Sequence, residues 1–219
     1  MTASLYDLRL GNALEERPAV VLADPPWQYR VLGVQGAVSE QYTTMPFSAL
    51  ASLPVADWAA SDAILALWAT WPQLNHGTDL LRAWGFDYVT GFPWIKTVGA
   101  AIRVGIGFWA QSVSELLLIG RRGILPKARN GSPVLGLLHE ECRQFYAPGG
   151  APGAHSRKPA GIHEWLEAQF DGPYLELFAR RKRPGWITWG SDLGFELTPA
   201  GVRPCEPKRV LQPDLFTPL

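Results

Sequence analysis

Cysteine is scarce in this 219-residue chain: Cys142 and Cys205 are the only two, and their spacing fits neither a metal site nor a redox pair. A disulfide-built scaffold is thereby excluded, and a reducing, cytoplasmic setting is expected. The four histidines, His76, His139, His155 and His163, fall into no H-E-x-x-H or Cys/His ligand pattern, so no metal site is expected. There is no G-x-S-x-G nucleophile elbow and no G-x-x-x-x-G-K-[ST] phosphate loop. Gly105-Ile106-Gly107 stops short of a dinucleotide fingerprint. The longest apolar stretches, such as Ala63 to Trp71, are too short to span a membrane, and no apolar signal region follows Met1. Net charge is zero, which argues against a chain that coats a polyanion through general attraction.

What remains is a globular composition, 47% hydrophobic and 18% charged, with enough chain for one substantial core. Apolar, β-branched runs alternate with helix-like stretches, the pattern of an α/β fold around a mostly parallel sheet. Strands are expected at Val20–Ala23, Ala63–Ala69, Tyr88–Lys96, Glu115–Ile119, Leu175–Ala179 and Trp186–Trp189. Helices are expected from Gln73 to Trp84, stopped by Gly85, and from Pro159 to Phe170. A single domain over residues 1–198 and a proline-rich peripheral tail over 199–219 complete the outline.

The strongest local feature is Asp24-Pro25-Pro26-Trp27, directly after the run Ala19-Val20-Val21-Leu22-Ala23. Two prolines fix φ and carry no backbone N–H, so the turn is stiff and its carbonyls are expected to be free acceptors. A carboxylate and a carbonyl can together hold an exocyclic amine, and an indole can cover a heterocycle; the pattern suits an adenine-like amine. The same residues also suit a plain strand-to-turn junction with Trp27 in the core. In His155-Ser156-Arg157-Lys158-Pro159, Lys158 stands just before a helix, where a carboxylate or phosphate would be attracted. An exposed helix cap is the alternative there. Glu176 and Arg180, within and after a strand, suit a ribose contact in a doubly wound sheet, or simple alternation with Glu176 facing solvent. Residues 121–183 carry 11 Lys/Arg against 6 Asp/Glu, and this segment could track a phosphate backbone. Its candidates are Lys127, Arg129, Arg181, Lys182 and Arg183, each of which is otherwise an ordinary surface charge.

Taken in order, these pieces resemble the DPPW-type N6-adenine methyltransferases. The resemblance runs from about Asp7 to Leu193, through Tyr42-Thr43-Thr44-Met45, Leu67-Trp68-Ala69-Thr70, Ala83-Trp84-Gly85-Phe86, Trp94-Ile95-Lys96, Glu115 to Gly120 and Leu175 to Arg180. It implies a Rossmann-like class I methyltransferase fold with helices on both faces of the sheet. The tetrad precedes the cofactor segments, resembling the permuted order called the β class. It also implies S-adenosylmethionine as cofactor and adenine in nucleic acid as substrate, DNA favoured over RNA. A non-catalytic nucleic-acid-binding subunit is the reading from a different class. Carried over, Asp24 holds the amine, the Pro25 carbonyl takes its second hydrogen, and Pro26 and Trp27 line the base. Asp7, Leu8, Asp24, Lys158, Glu176, Arg180, Ser191 and Asp192 are then cofactor contacts, with Ser191 standing where many relatives have Asn. No target-recognition segment is evident, so specificity falls to loops or to a second subunit, as a homodimer or with a partner.

Overall fold

A computed structural model describes residues 16–28, 44–98, 101–102, 104, 109–124, 158–159 and 161–207. Its centre is a six-stranded sheet in the order β3-β6-β2-β1-β7-β8. Here β1 is Val20–Ala23, β2 Ala63–Ala69, β3 Asp87–Ile95, β6 Ser114–Arg122, β7 Tyr174–Leu177 and β8 Trp186–Trp189. β1 pairs in parallel with β2 and with β7, and β7 in parallel with β8. Only β6 is reversed, running antiparallel to both β2 and β3.

Strand alternation divides the core in two. Val21, Ala23, Leu65, Leu67 and Leu175 face one side with Leu80, Leu81 and Trp84. Val20, Leu22, Ile64, Trp68 and Leu117 face the other with Ile162 and Leu166. Helix α3, Leu74–Ala83, therefore covers the first face and α4, Gly161–Gln169, the second, as expected of a sheet whose inner strands are buried on both sides. Two short helices, α1 Phe47–Ala51 and α2 Val55–Trp58, add Leu50, Val55 and Trp58 to the first face.

The expected elements are found, β1, β2 and β8 at their expected bounds and the others with shifted ends. α3 stops at a positive-φ residue, Gly85 at φ 80°, a conformation glycine adopts without a Cβ penalty. β6 runs past its expected end at Ile119, because Gly120, Arg121 and Arg122 continue the ladder with β2. Gly120 leaves little room for a side chain: an added Cβ would lie 2.9 Å from Leu81 Cδ2. A two-residue hairpin, β4 Thr97–Val98 with β5 Ala101–Ile102, follows β3. The expected division after residue 198 is corrected by a second hairpin, β9 Phe195–Thr198 with β10 Gly201–Pro204. Leu197 and Val202 from its two strands enter the first core face, so the chain up to Pro204 packs with the sheet.

Beyond β8 the backbone is pinched. Ala179 N–H donates to Trp189 O at 2.9 Å, and a Cβ on Gly190 would lie 2.1 Å from Ala179 O. The three nearest atoms are all Ala179 backbone, which cannot swing aside as a side chain would, so Gly190→Ala is expected to cost about 3 kcal/mol or more. Equilibrium denaturant unfolding of the two proteins measures this directly.

Candidate active site

The parallel strands β1, β2 and β7 end on one edge, and Asp24 is the first residue beyond β1. Because β6 is reversed, its first residues, Ser114 and Glu115, arrive at that same edge: Leu116 is paired with Ala69 at the end of β2. Ligands of open α/β sheets bind outside the carboxyl ends of the strands, so this edge is where chemistry is expected.

Three charges meet there. Lys158 Nζ lies 2.8 Å from Asp24 Oδ1, 2.9 Å from Oδ2, and 3.2 Å from Glu115 Oε2. Its ammonium also stands 5.8 Å from the centroid of the Trp68 ring. Their side chains keep 15% (Lys158), 26% (Asp24) and 14% (Glu115) of their exposure, so the cluster is largely out of water. Burial pushes the Asp24 carboxyl above its ordinary value, opposed chiefly by Lys158 and reinforced by the neighbouring Glu115. Burial also penalises ionised Glu115, but Lys158 and Lys96 together hold that carboxyl below its usual range. Burial disfavours charged Lys158 as well, yet the two carboxylates hold its ammonium above the ordinary value.

The Pro-Pro turn is braced from several sides, and its carbonyls are already engaged. Trp27 N–H donates to Pro25 O at 2.8 Å and Met45 N–H to Pro26 O at 2.9 Å. The expectation of free carbonyls is therefore corrected: each retains one lone pair, since a carbonyl oxygen has two. Trp27 is only 7% exposed and sits in the first core face, its Nε1 donating to Trp68 O at 3.1 Å. Of the two readings of Trp27, the core one holds; its ring braces the turn and has little face left for a base. Gln73, itself buried, donates from Nε2 to Gln28 O at 3.3 Å. Its Oε1 lies 2.6 Å from His76 Nδ1, and His76 stacks on Phe47 with centroids 5.2 Å apart.

The other candidates separate. Lys158 precedes α4, as expected, but it turns onto Asp24 and Glu115 instead of standing open at the helix start. Glu176 lies within β7, opposite Leu22 and Thr188, with Oε2 2.9 Å from His163 Nε2 of α4. Arg180 is exposed at the carboxyl end of β7, close enough to stabilise the Asp24 carboxylate. Ser191 and Asp192 form a short 3-10 turn just after β8, on the same edge. Arg181 and Lys182 are exposed, but Arg183 is bound to α4, 2.6 Å from Glu164 and 3.3 Å from Glu167. Arg121 and Arg122 end β6 beside Ala63, at the opposite edge of the sheet. The basic middle segment is thus not one patch. Asp7, Leu8, Lys127 and Arg129 lie outside the described residues. Sequence reasoning gave no role to Glu115 or Lys96; the signal was their place at the same end of the antiparallel β3–β6 pairing, Lys96 just past β3 and Glu115 second in β6.

The pH dependence follows from these directions. Glu115, held low, contributes stability that is present at neutral pH and lost as pH falls through its folded value. Lys158, held high, contributes stability present below its unfolded value and lost only as pH rises through its folded one. Asp24, pushed high, has the opposite sign from Glu115, because its ionised form is the costly one. Lys158→Met leaves two carboxylates without their shared cation, and is expected to cost about 3–5 kcal/mol at neutral pH. The deficit should shrink on acidification, as both carboxyls take up protons. Urea unfolding of variant and parent at neutral and mildly acidic pH tests this; a deficit independent of pH would show that lost packing, not charge, is responsible.

The MT-A70 family model matches residues 18–192. The type II methyltransferase M.MunI of Mycoplasma sp is 30% identical over 195 residues, covering 80% of this chain and 77% of that protein. An N(6)-adenosine-methyltransferase MT-A70-like protein of Drosophila melanogaster is 30% identical over 200 residues, 89% of this chain but 29% of its own length. The human N(6)-adenosine-methyltransferase catalytic subunit METTL3 is 29% identical over 181 residues, 80% of this chain and 28% of its own length. The chain thus spans most of the first relative and under a third of the other two.

Proposed function

The chain belongs to the MT-A70 family, and from that premise we propose that it methylates the exocyclic N6 of adenine in nucleic acid, DNA before RNA. The observation that carries this is a largely buried Asp24 carboxylate at the end of a central parallel strand, beside a Pro25 carbonyl with one lone pair to spare. Adenine's amine is a poor nucleophile because its lone pair is delocalised into the ring. Two fixed acceptors orient its hydrogens and favour rehybridisation, which is catalysis by positioning and electrostatics. Asp24 need not be a strong base, since the amine proton becomes acidic as the new bond forms. In a duplex the base must first leave the stack, at a cost of a few kcal/mol.

The donor set on this edge suits S-adenosylmethionine. An amino-acid zwitterion needs a cation and carboxylates, which Lys158 and Asp24 supply; a ribose needs hydrogen-bonding groups, which Glu176, Arg180, Ser191 and Asp192 offer. That cofactor supplies an electrophilic methyl group. The protein residues hold it, keep water out and align the amine. Arg181 and Lys182, exposed and next after Arg180 in the basic run, are assigned to phosphate contact. Two cysteines without redox spacing favour the cytoplasm, and a second subunit is a natural source of target specificity.

The preference for DNA is supported by M.MunI, a relative of which this chain covers 77%. RNA is the second reading, favoured by the names of the eukaryotic relatives. A non-catalytic subunit is opposed by the retained Asp24 and Lys158 in direct contact. Labelled-methyl transfer to DNA and RNA oligonucleotides, with and without adenine, tests all three. Adenine-dependent labelling at N6 is expected, reduced about 100-fold or more by Asp24→Asn. Labelling that survives Asp24→Asn would remove this residue from the mechanism.

A further inference from the structure

Four charged side chains from four separate segments form one continuous row along the site edge. Lys96 follows β3, Glu115 is second in β6, Lys158 precedes α4 and Asp24 follows β1. Lys96 Nζ donates to Glu115 Oε1, Glu115 Oε2 accepts from Lys158 Nζ at 3.2 Å, and Lys158 Nζ reaches Asp24 Oδ1 at 2.8 Å. Signs alternate, so every adjacent pair attracts. Within the row Lys96 is joined to Glu115 alone.

Both cations are held in place by the same aromatic pair. Lys96 Nζ stands 5.1 Å from the Trp94 centroid and Lys158 Nζ 5.8 Å from that of Trp68. The two rings meet edge to face at 5.7 Å, and both are buried. The Lys96 N–H also donates to Val113 O at 3.0 Å, which ties its backbone to the segment leading into Glu115. Lys96 is only 20% exposed, so its field on Glu115 is weakly screened.

We propose that Lys96 is a positioning residue of the methyl-transfer site: by occupying one oxygen of Glu115 it leaves the other on Lys158, and so sets how Lys158 is shared with Asp24. The proposal rests on the preceding reading, in which Asp24 orients the amine. Without Lys96, both oxygens of Glu115 compete for Lys158. The ammonium shifts towards Glu115, and Asp24 is left with weaker compensation. The charged groups facing Asp24 are Lys158, Glu115 and Arg180; two of these three belong to the row. Asp24, already pushed up by burial, then takes up a proton at still higher pH, and a protonated acid is a poorer acceptor for the amine.

A merely structural ion pair between β3 and β6 would change stability and nothing else. The discriminating set is Lys96→Met, Lys96→Arg, Glu115→Gln and the Lys96→Met/Glu115→Gln double variant. For Lys96→Met, kcat is expected to fall about 10-fold, since small displacements at reacting groups are costly. The acid limb of its pH profile should move up by roughly half a unit to one unit, less than the effect of a directly paired charge. Lys96→Arg should restore both, and Lys96→Met should add little in the Glu115→Gln background. A second readout does not require activity: carbon-13 NMR titration of the Asp24 carboxyl, which should shift upward in Lys96→Met. An unmoved Asp24 titration, or full additivity in the double variant, overturns the role of Lys96. If the parent methylates no adenine yet the Asp24 titration moves, the functional reading fails and the electrostatic coupling stands.

Discussion

The ammonium of Lys158 is the group on which the site edge depends. Asp24 and Glu115 come from strands on either side of β2, and each keeps only a fraction of its exposure to water. Two such carboxylates without a cation would repel, and one would be driven to bind a proton. Lys158 touches both, and 134 residues separate it from Asp24 along the chain. Burying three charges costs solvation, which good geometry and additional hydrogen bonds have to offset. Lys96 and the two tryptophan rings supply that geometry. Stability alone is a weak reason for such a cluster, since apolar replacements of buried ion pairs are often as stable. Under the proposed function, poising Asp24 as an acceptor is a better one.

Strand direction explains how the cluster assembles. In a wholly parallel sheet, residues that open a strand lie on the edge away from the ligand side. Reversing β6 brings its first residues, Ser114 and Glu115, level with the last residues of β2. The same reversal carries Arg121 and Arg122 to the far edge, Arg121 lying about 20 Å from Glu115 along the nine-residue β6. One topological choice therefore delivers an acid to the site and removes two bases from it. Sequence distance gives no hint of this: Glu115 and Arg121 are six residues apart and lie on opposite edges.

Most of the fold was legible because its signals are local. β2 and β8 were read to the residue, as apolar runs with definite boundaries, and Gly85 marked the end of α3 because a left-handed residue there favours glycine. The hairpin of β9 and β10 was missed because proline near its second strand resembles a tail, whereas Leu197 and Val202 are held by tertiary contact. The family and the tetrad were legible from motif order. The state of the site was not. Whether Lys158 faces a helix terminus or a carboxylate depends on where β1 and β6 end in space. Likewise, whether a proline carbonyl is free depends on Met45 N–H, supplied from 19 residues later.

The distribution of basic residues constrains how a neutral chain can approach a polyanion. Of the segment that looked basic in sequence, Lys158 is committed to the centre of the site, and Arg183 to Glu164 and Glu167 of α4. Arg121 and Arg122 lie on the opposite edge. Among the described residues of that segment, Arg180, Arg181 and Lys182 are the exposed ones that follow the carboxyl end of β7. Each phosphate contact contributes about one unit to the salt dependence of binding, so with Arg180 given to the ribose, Arg181 and Lys182 contribute only a shallow dependence. Under the proposed function, affinity then rests on how well the extruded base fits at Asp24 more than on attraction for the backbone. Such an enzyme gains specificity from its pocket and from whatever subunit or loop delivers the target.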